Sequence, residues 1–366
     1  MAKLNFSLKT MKKTTKAPLY TISAVIIAYI LIEILISAGA LSSLIKGILV
    51  PVCVYSLAAI GLNLCVGFLG ELSLGHAGFM CLGAFTGAFV SKLLQPYIGS
   101  KILLFIIALI AGIIVAGLFG FLIGIPVLRL RGDYLAIVTL AFGEIIKGFV
   151  NVLFVYRDKT GLHFSFGDTQ KMIVDEETKE KILDGPMGLA KIPQLSSFTI
   201  GIILIILTLL IVYHFVNSRT GRAVMAIRDN RIAAESVGLN ITGYKLLAFT
   251  VSAAIAGAAG VLYAHNLSTV TATSANFGYN QSIMILVFVV LGGIGSIPGS
   301  IIAATILTIL PEALRGFSTY RMLIYSIVLI AVMLFTWSPK AKEFKEKYSL
   351  KRLIALKKEG KADGNK

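Results

Sequence analysis

The chain has 366 residues, 57% hydrophobic and only 14% charged, with a net charge of +16. Soluble globular chains carry about a quarter charged residues, so a water-soluble globule is excluded. The basic residues gather at the two ends with no aromatic–basic recognition motif, which argues against a nucleic-acid partner.

The chain opens on a basic tail, 1–18, with Lys3, Lys9, Lys12, Lys13 and Lys16. The first apolar run, 19–37, is followed by Ala38-Gly39-Ala40 and so mimics a secretory signal. It is longer than the usual signal core of about 7–15 residues, and is read as an uncleaved span. A helix needs roughly 20 apolar residues to cross a bilayer core. No Asp, Glu, Lys or Arg occurs over Gly47–Gly70, Ile102–Leu128 or Leu246–Pro311, so the first two runs supply one span each and the third two or three. Further spans are expected at 44–66, 73–93, 102–126, 134–156, 198–216, 246–264, 281–295, 299–313 and 321–337. Period-2 alternation is absent and runs such as Phe198–Phe215 are apolar all round, which favours helices over a barrel. The expected fold is therefore an all-α, polytopic transmembrane helix bundle of eight to ten spans. Glycine-rich stretches near 67–79 and 292–299 predict broken or re-entrant segments.

Charge orients the spans. Ten basic residues against four acidic ones follow Ser338, and the loop 217–245 is rich in arginine. Placing both termini and that loop in the cytoplasm satisfies the positive-inside rule. The mixed-charge loop 157–197 then lies outside, and 19–337 is the membrane domain between the basic tails 1–18 and 338–366. Glycines at Gly83 and Gly87, and at Gly120 and Gly124, give the small-xxx-small spacing of close helix packing, here favoured within the subunit over a dimer face.

Ionisable residues inside spans are functional candidates by default. Glu71 and His76 flank the glycine-rich start of the third span, and with Asn63 and Ser73 are candidates to line a translocation pathway. Free backbone N–H groups there can hold a carboxylate, as helix N-termini do. Glu144 and Lys147, three apart on one helix face, form either a structural ion pair or part of the pathway. Cys53, Cys65 and Cys81 have no metal-ligand spacing and read as core residues. No catalytic triad or metal cluster is evident, and no Gly-x-x-x-x-Gly-Lys-Ser/Thr phosphate loop occurs, so no enzyme and no resident cofactor is expected.

The segment Arg219–Asn240 is too well patterned for a linker. Ala223, Ala226, Ile227, Ile232 and Ala233 interleave with Arg222, Arg228 and Asp229, predicting short helices with one docking face and a stop at Gly238. An amphipathic segment lying on lipid headgroups is the alternative; a face built of alanine, without Trp or Phe anchors, favours protein docking. Ala233-Ala234-Glu235…Gly238 resembles the cytoplasmic coupling segment of ABC importer permeases. The chain from about 45 to 337 resembles the branched-chain amino-acid permease family in particular. That resemblance is carried by Gly61-Leu62-Asn63-Leu64, Leu74-Gly75-His76-Ala77-Gly78-Phe79, Arg131-Gly132-Asp133-Tyr134-Leu135-Ala136-Ile137-Val138-Thr139-Leu140, Gly185-Pro186-Met187-Gly188-Leu189 and Gly292-Gly293-Ile294-Gly295-Ser296-Ile297-Pro298-Gly299.

The resemblance implies a multi-pass subunit of a bacterial cell (inner) membrane. It implies a second permease subunit, two cytoplasmic ATPase subunits that bind the ATP, and an extracytoplasmic binding protein that delivers the solute. Urea or another small amide is the neighbouring substrate alternative. An ion-coupled secondary transporter using Glu71, Glu144 and His76 is the alternative from another class.

Overall fold

The computed structural model describes residues 16–39, 42–130, 132–158, 161–167 and 180–337. Most of the N-terminal tail, the whole C-terminal tail, Arg131 and the most acidic part of the 157–197 loop lie outside the described residues. Contacts divide the chain into two units, Met1–Thr308 and Ile309–Lys366.

The first unit is built of helices, and the uncharged runs of the sequence fall largely within its long ones. They are α1 (Lys16–Ser37), α2 (Ser43–Asn63), α3 (His76–Leu94), α4 (Lys101–Val127), α5 (Asp133–Val152), α6 (Phe198–Asn217), α7 (Arg219–Asp229), α8 (Arg231–Ser236), α9 (Ile241–Asn266), α10 (Ser274–Phe277) and α11 (Tyr279–Gly292). Helix α12 (Ile297–Ala313) begins in this unit, and α13 (Arg321–Trp337) belongs to the second, preceded by a 3-10 turn at Leu314–Tyr320. Among the described residues nine helical stretches are long and apolar enough to cross a membrane. The tenth expected span, 321–337, coincides with α13, whose 17 residues reach about 25 Å at 1.5 Å per residue, short of a full bilayer core.

Helix α9 is the centre of the first unit, packed against α3, α4 and α2. Small residues permit the close approach. A Cβ on Gly83 of α3 would strike the Gly257 backbone, and one on Gly257 would strike Ala116 of α4. Gly87, Gly120 and Gly124 likewise face α9, at Val261, Ala253 and Leu246. All four glycines with small-xxx-small spacing thus serve packing inside this chain. Serine caps start two of the long helices, Ser100 accepting from the Leu103 amide at 3.5 Å and Ser197 from that of Ile200 at 3.2 Å.

Two stretches differ from the sequence reading. Helix α5 stops at Val152, and the chain continues as a strand where a span to 156 was expected. Strands β1 (Leu153–Asp158), β2 (Gly161–Phe166) and β3 (Glu180–Asp184) form an antiparallel sheet of order β2-β1-β3. Strand β4 (Leu189–Ala190) pairs with β5 (Thr269–Val270). The described residues of the expected loop 157–197 are therefore in large part paired strands. Lys92, in the last turn of α3, fixes both sheets by donating from Nζ to the carbonyls of Lys181 at 2.6 Å and Ala190 at 3.2 Å. Tyr156, in β1, is buried and donates to Asp184 Oδ1 at 2.9 Å. Burial, then the adjacent Asp184 carboxylate, pushes its hydroxyl up to about 12.

Candidate functional site

Both predicted breaks occur, and they meet. Helix α2 widens into a π turn over Leu64–Leu69, and Gly70 leaves it with a left-handed φ of 79°. Residues 70–75 are irregular before α3 begins. Between α11 and α12, Gly293 and Gly295 (φ 97° and 81°) turn the chain in four residues. Gly67 lies directly against this turn: a Cβ there would overlap the Gly295 backbone and Asn63 Oδ1. Asn63 locks the contact, accepting at Oδ1 from the Gly295 amide (2.9 Å) and donating from Nδ2 to Ser300 Oγ (2.8 Å).

The candidate pathway residues are placed as follows. Asn63, Ser73 and His76 are fully buried. His76 Nε2 lies 2.8 Å from Ser252 Oγ on α9, and Nδ1 lies 3.3 Å from Ser73 Oγ. Ser252 gives its single hydroxyl proton to the Gly61 carbonyl, so it accepts from the ring. That places the proton of a neutral His76 on Nε2 and leaves Nδ1 to accept from Ser73. The backbone amides near this break are also engaged: Leu74 N donates to Thr139 Oγ1 (3.0 Å) and Ala77 N to Ser282 Oγ (3.1 Å). Glu71 pairs with Lys245 at the start of α9, with side-chain exposures of 14% and 9%. Glu144 sits apart from this cluster. It pairs with Lys147 and accepts from Tyr279 N at 2.9 Å, so it caps α11, while Lys147 also reaches Ser274 Oγ at 2.9 Å. The structure thus gathers Asn63, Glu71, Ser73 and His76 around the end of α2 and separates Glu144.

The arginine-rich segment forms two short helices. Ser218 Oγ caps α7 by accepting from Gly221 N (3.1 Å), and Asn230 Oδ1 caps α8 by accepting from Ala233 N (3.0 Å). Gly238 (φ 81°) ends α8, its N–H donating to Glu235 O at 3.0 Å while Leu239 N reaches Ala234 O at 3.1 Å. The pair has two apolar faces where the sequence suggested one. Ala223, Val224, Ile227 and Ala234 turn inward, the last two packing with Ile241, Leu239 and Tyr244. Ala226, Ile232 (81% exposed), Ala233 and Val237 (75% exposed) turn outward with Arg222, Asp229, Glu235 and Gly238. Arg228 lies between the faces. One guanidinium nitrogen donates to the Gly67 carbonyl at 2.7 Å, and Nε and the other to Asp229 Oδ1 at 3.0 and 2.8 Å.

Sequence reasoning missed Lys245, Thr139, Ser252, Ser282, Ser300 and Val237. Glu71 called for a nearby cation, since an isolated carboxylate at membrane depth is costly, but nothing local identified Lys245 as its partner.

A bundle of this many membrane-length helices, interrupted at two points that meet and carrying a partly exposed pair of short helices, defines a multi-pass membrane protein of the permease class. The family model described as branched-chain amino acid transport system / permease component matches residues 44–336, and the chain belongs to that family. The permease LivM of Salmonella typhimurium is 37% identical over 78% of this chain and 67% of its own length. LivM of Escherichia coli matches at the same identity and coverage. LivH of Salmonella typhimurium is 26% identical over 76% of this chain and 88% of its own. All three relatives are described as permease proteins of high-affinity branched-chain amino acid transport systems.

Proposed function

We propose that this chain is one of two permease subunits of an ATP-driven importer that carries branched-chain amino acids into a bacterial cell. The observation that carries the reading is the α7–α8 pair, a capped helical unit presenting Ile232, Ala233 and Val237 outward beside Arg222, Asp229 and Glu235. Exposed apolar side chains rimmed by charge fit a protein partner. On this reading the partner is a cytoplasmic ATPase subunit that binds the ATP, one under each permease. Both termini and the α7–α8 pair face the cytoplasm, in keeping with the excess of Lys and Arg there, and the β1–β5 sheets face a solute-binding protein outside. Asn63, Glu71, Ser73 and His76 belong to the moving parts around the α2 break, and the solute passes beside them once the bundle opens. Glu71 is already paired with Lys245 and Glu144 with Lys147, which supports an ATP-driven mechanism over proton coupling at these acids.

The test is purification of this chain with its native partners in detergent. The expected complex contains a second permease and two ATPase copies, and leucine-loaded binding protein raises its ATP hydrolysis. A purified chain that brings down no ATPase, and transports alone, contradicts the proposal.

A further inference from the structure

We propose that Arg228 is the positioning residue through which movement of α7–α8 reaches the two breaks of the bundle, by holding the Gly67 carbonyl of the π turn. This rests on the importer reading and names where the motion enters the membrane domain.

The π turn has its carbonyls only partly satisfied. Gly70 N and Glu71 N both return to Cys65 O. The Gly67 carbonyl falls in the last turn, where a helix has no partner for it of its own. Arg228 supplies that partner, and its positive charge suits the negative end of a helix dipole. Asp229 accepts from two other guanidinium nitrogens and aims the group. The alkyl stem passes over Gly70, where a Cβ would overlap Arg228 Cγ. A side chain at either glycine would close the space: at Gly70 against Arg228, at Gly67 against Asn63 and Gly295.

The π turn is thus clamped on one side by α7 and on the other by the 293–296 turn, with Lys245 and Glu71 tying its exit to α9. A displacement of the docked helix pair pulls on Gly67, and Gly67 cannot shift without moving Gly295 and the start of α12. A π turn is an uncommon helical state, found as single turns within α-helices and frequent at functional sites. Re-pairing of this turn toward an α-helical register gives the clamp a second arrangement.

The experiment compares the complete purified complex carrying wild type, R228Q or R228K, reconstituted in proteoliposomes with ATP. Leucine uptake and ATP hydrolysis are read together. R228Q is expected to retain the ATPase subunits and hydrolysis while leucine moved per ATP falls about tenfold, the scale of one lost charge-assisted hydrogen bond. R228K keeps charge without the fork and should fall between; it decides the question if R228Q does not accumulate. A second readout uses Cys65, which lies in the π turn, as the one cysteine after C53A and C81A. Trapping with ATP and vanadate should change its maleimide labelling in the wild-type background and leave it unchanged with R228Q. Unaltered leucine per ATP in the Arg228 variants overturns the proposal, as does a nucleotide response of Cys65 that survives R228Q. Loss of bound ATPase would make Arg228 a docking residue and also overturns it. If wild type itself moves no leucine with ATP, the importer reading fails first.

Discussion

Glu71 and Lys245, 174 positions apart, close an ion pair between the irregular segment after α2 and the N-terminal part of α9. Each side chain is mostly shielded, so neither charge has water to fall back on. Breaking a buried pair by removing one partner costs about 3–5 kcal/mol, because the other charge is left uncompensated, whereas replacing both by apolar groups is often neutral. Lys245→Met and Glu71→Leu should therefore each lower the thermal midpoint of the detergent-purified protein, and the two substitutions combined should recover most of the loss. A double variant as damaged as the sum of two singles would show that the residues do not act as a pair.

The crossing of α3 and α9 is set by Gly83 and Gly257. A methyl on Gly83 meets the partner backbone, which has no rotamer with which to yield. Gly83→Ala is expected to destabilise by about 1–3 kcal/mol, the range for overpacking, while Gly99→Ala, with open space around it, serves as the silent control. Thermal unfolding in detergent distinguishes them.

The outward face of α8 offers a separable test. Ile232→Glu and Val237→Glu add charge where the side chains are mostly exposed, so folding is expected to be unaffected. Binding of the ATPase subunits should weaken by tenfold or more, since a charge at an apolar contact costs at least about 1.4 kcal/mol when left unpaired. Co-purification from membranes measures it, and ATPase retained at wild-type stoichiometry by both variants would remove α8 from the interface.

Tyr156 gives the sheet a signature in alkali. Its hydroxyl is raised to about 12 from an unfolded value near 10, so the folded state favours the proton more than the unfolded state does. The stabilisation is complete below about pH 10 and is lost as pH rises toward 12. Wild type should lose stability across that window more steeply than Tyr156→Phe, by comparison of thermal midpoints at successive pH values. Parallel curves would deny the effect.

Much of this architecture is legible in the sequence because bilayer crossing imposes long uncharged runs. Ile102–Leu128 reappears as α4, Gly47–Gly70 as α2 with its π turn, and Gly238 ends α8 in the left-handed conformation that favours glycine. Glycine clusters also marked both breaks. The sheet was obscured because Leu153–Tyr156 extends the apolar run of α5, and the expectation that period-2 alternation is absent fails at Leu162, Phe164 and Phe166, which alternate as a strand does. The partners at the break were not legible at all. Ser252 lies 191 positions from Gly61, and Ser300 lies 237 from Asn63; only the folded bundle brings them together. The helix pair α7–α8 was visible as a pattern, but its division into an inward Ala223–Val224–Ile227–Ala234 face and an outward Ile232–Val237 face depends on what it packs against.

On the proposed function, ATP hydrolysis by a docked partner drives amino-acid uptake through this chain. This is tested most directly by labelled-leucine uptake into proteoliposomes holding the purified complex, with binding protein outside and ATP enclosed. Uptake is expected to require enclosed ATP, to stop with enclosed vanadate and to continue when a protonophore collapses any ion gradient. Uptake that ignores vanadate and ATP but disappears with the protonophore would contradict it.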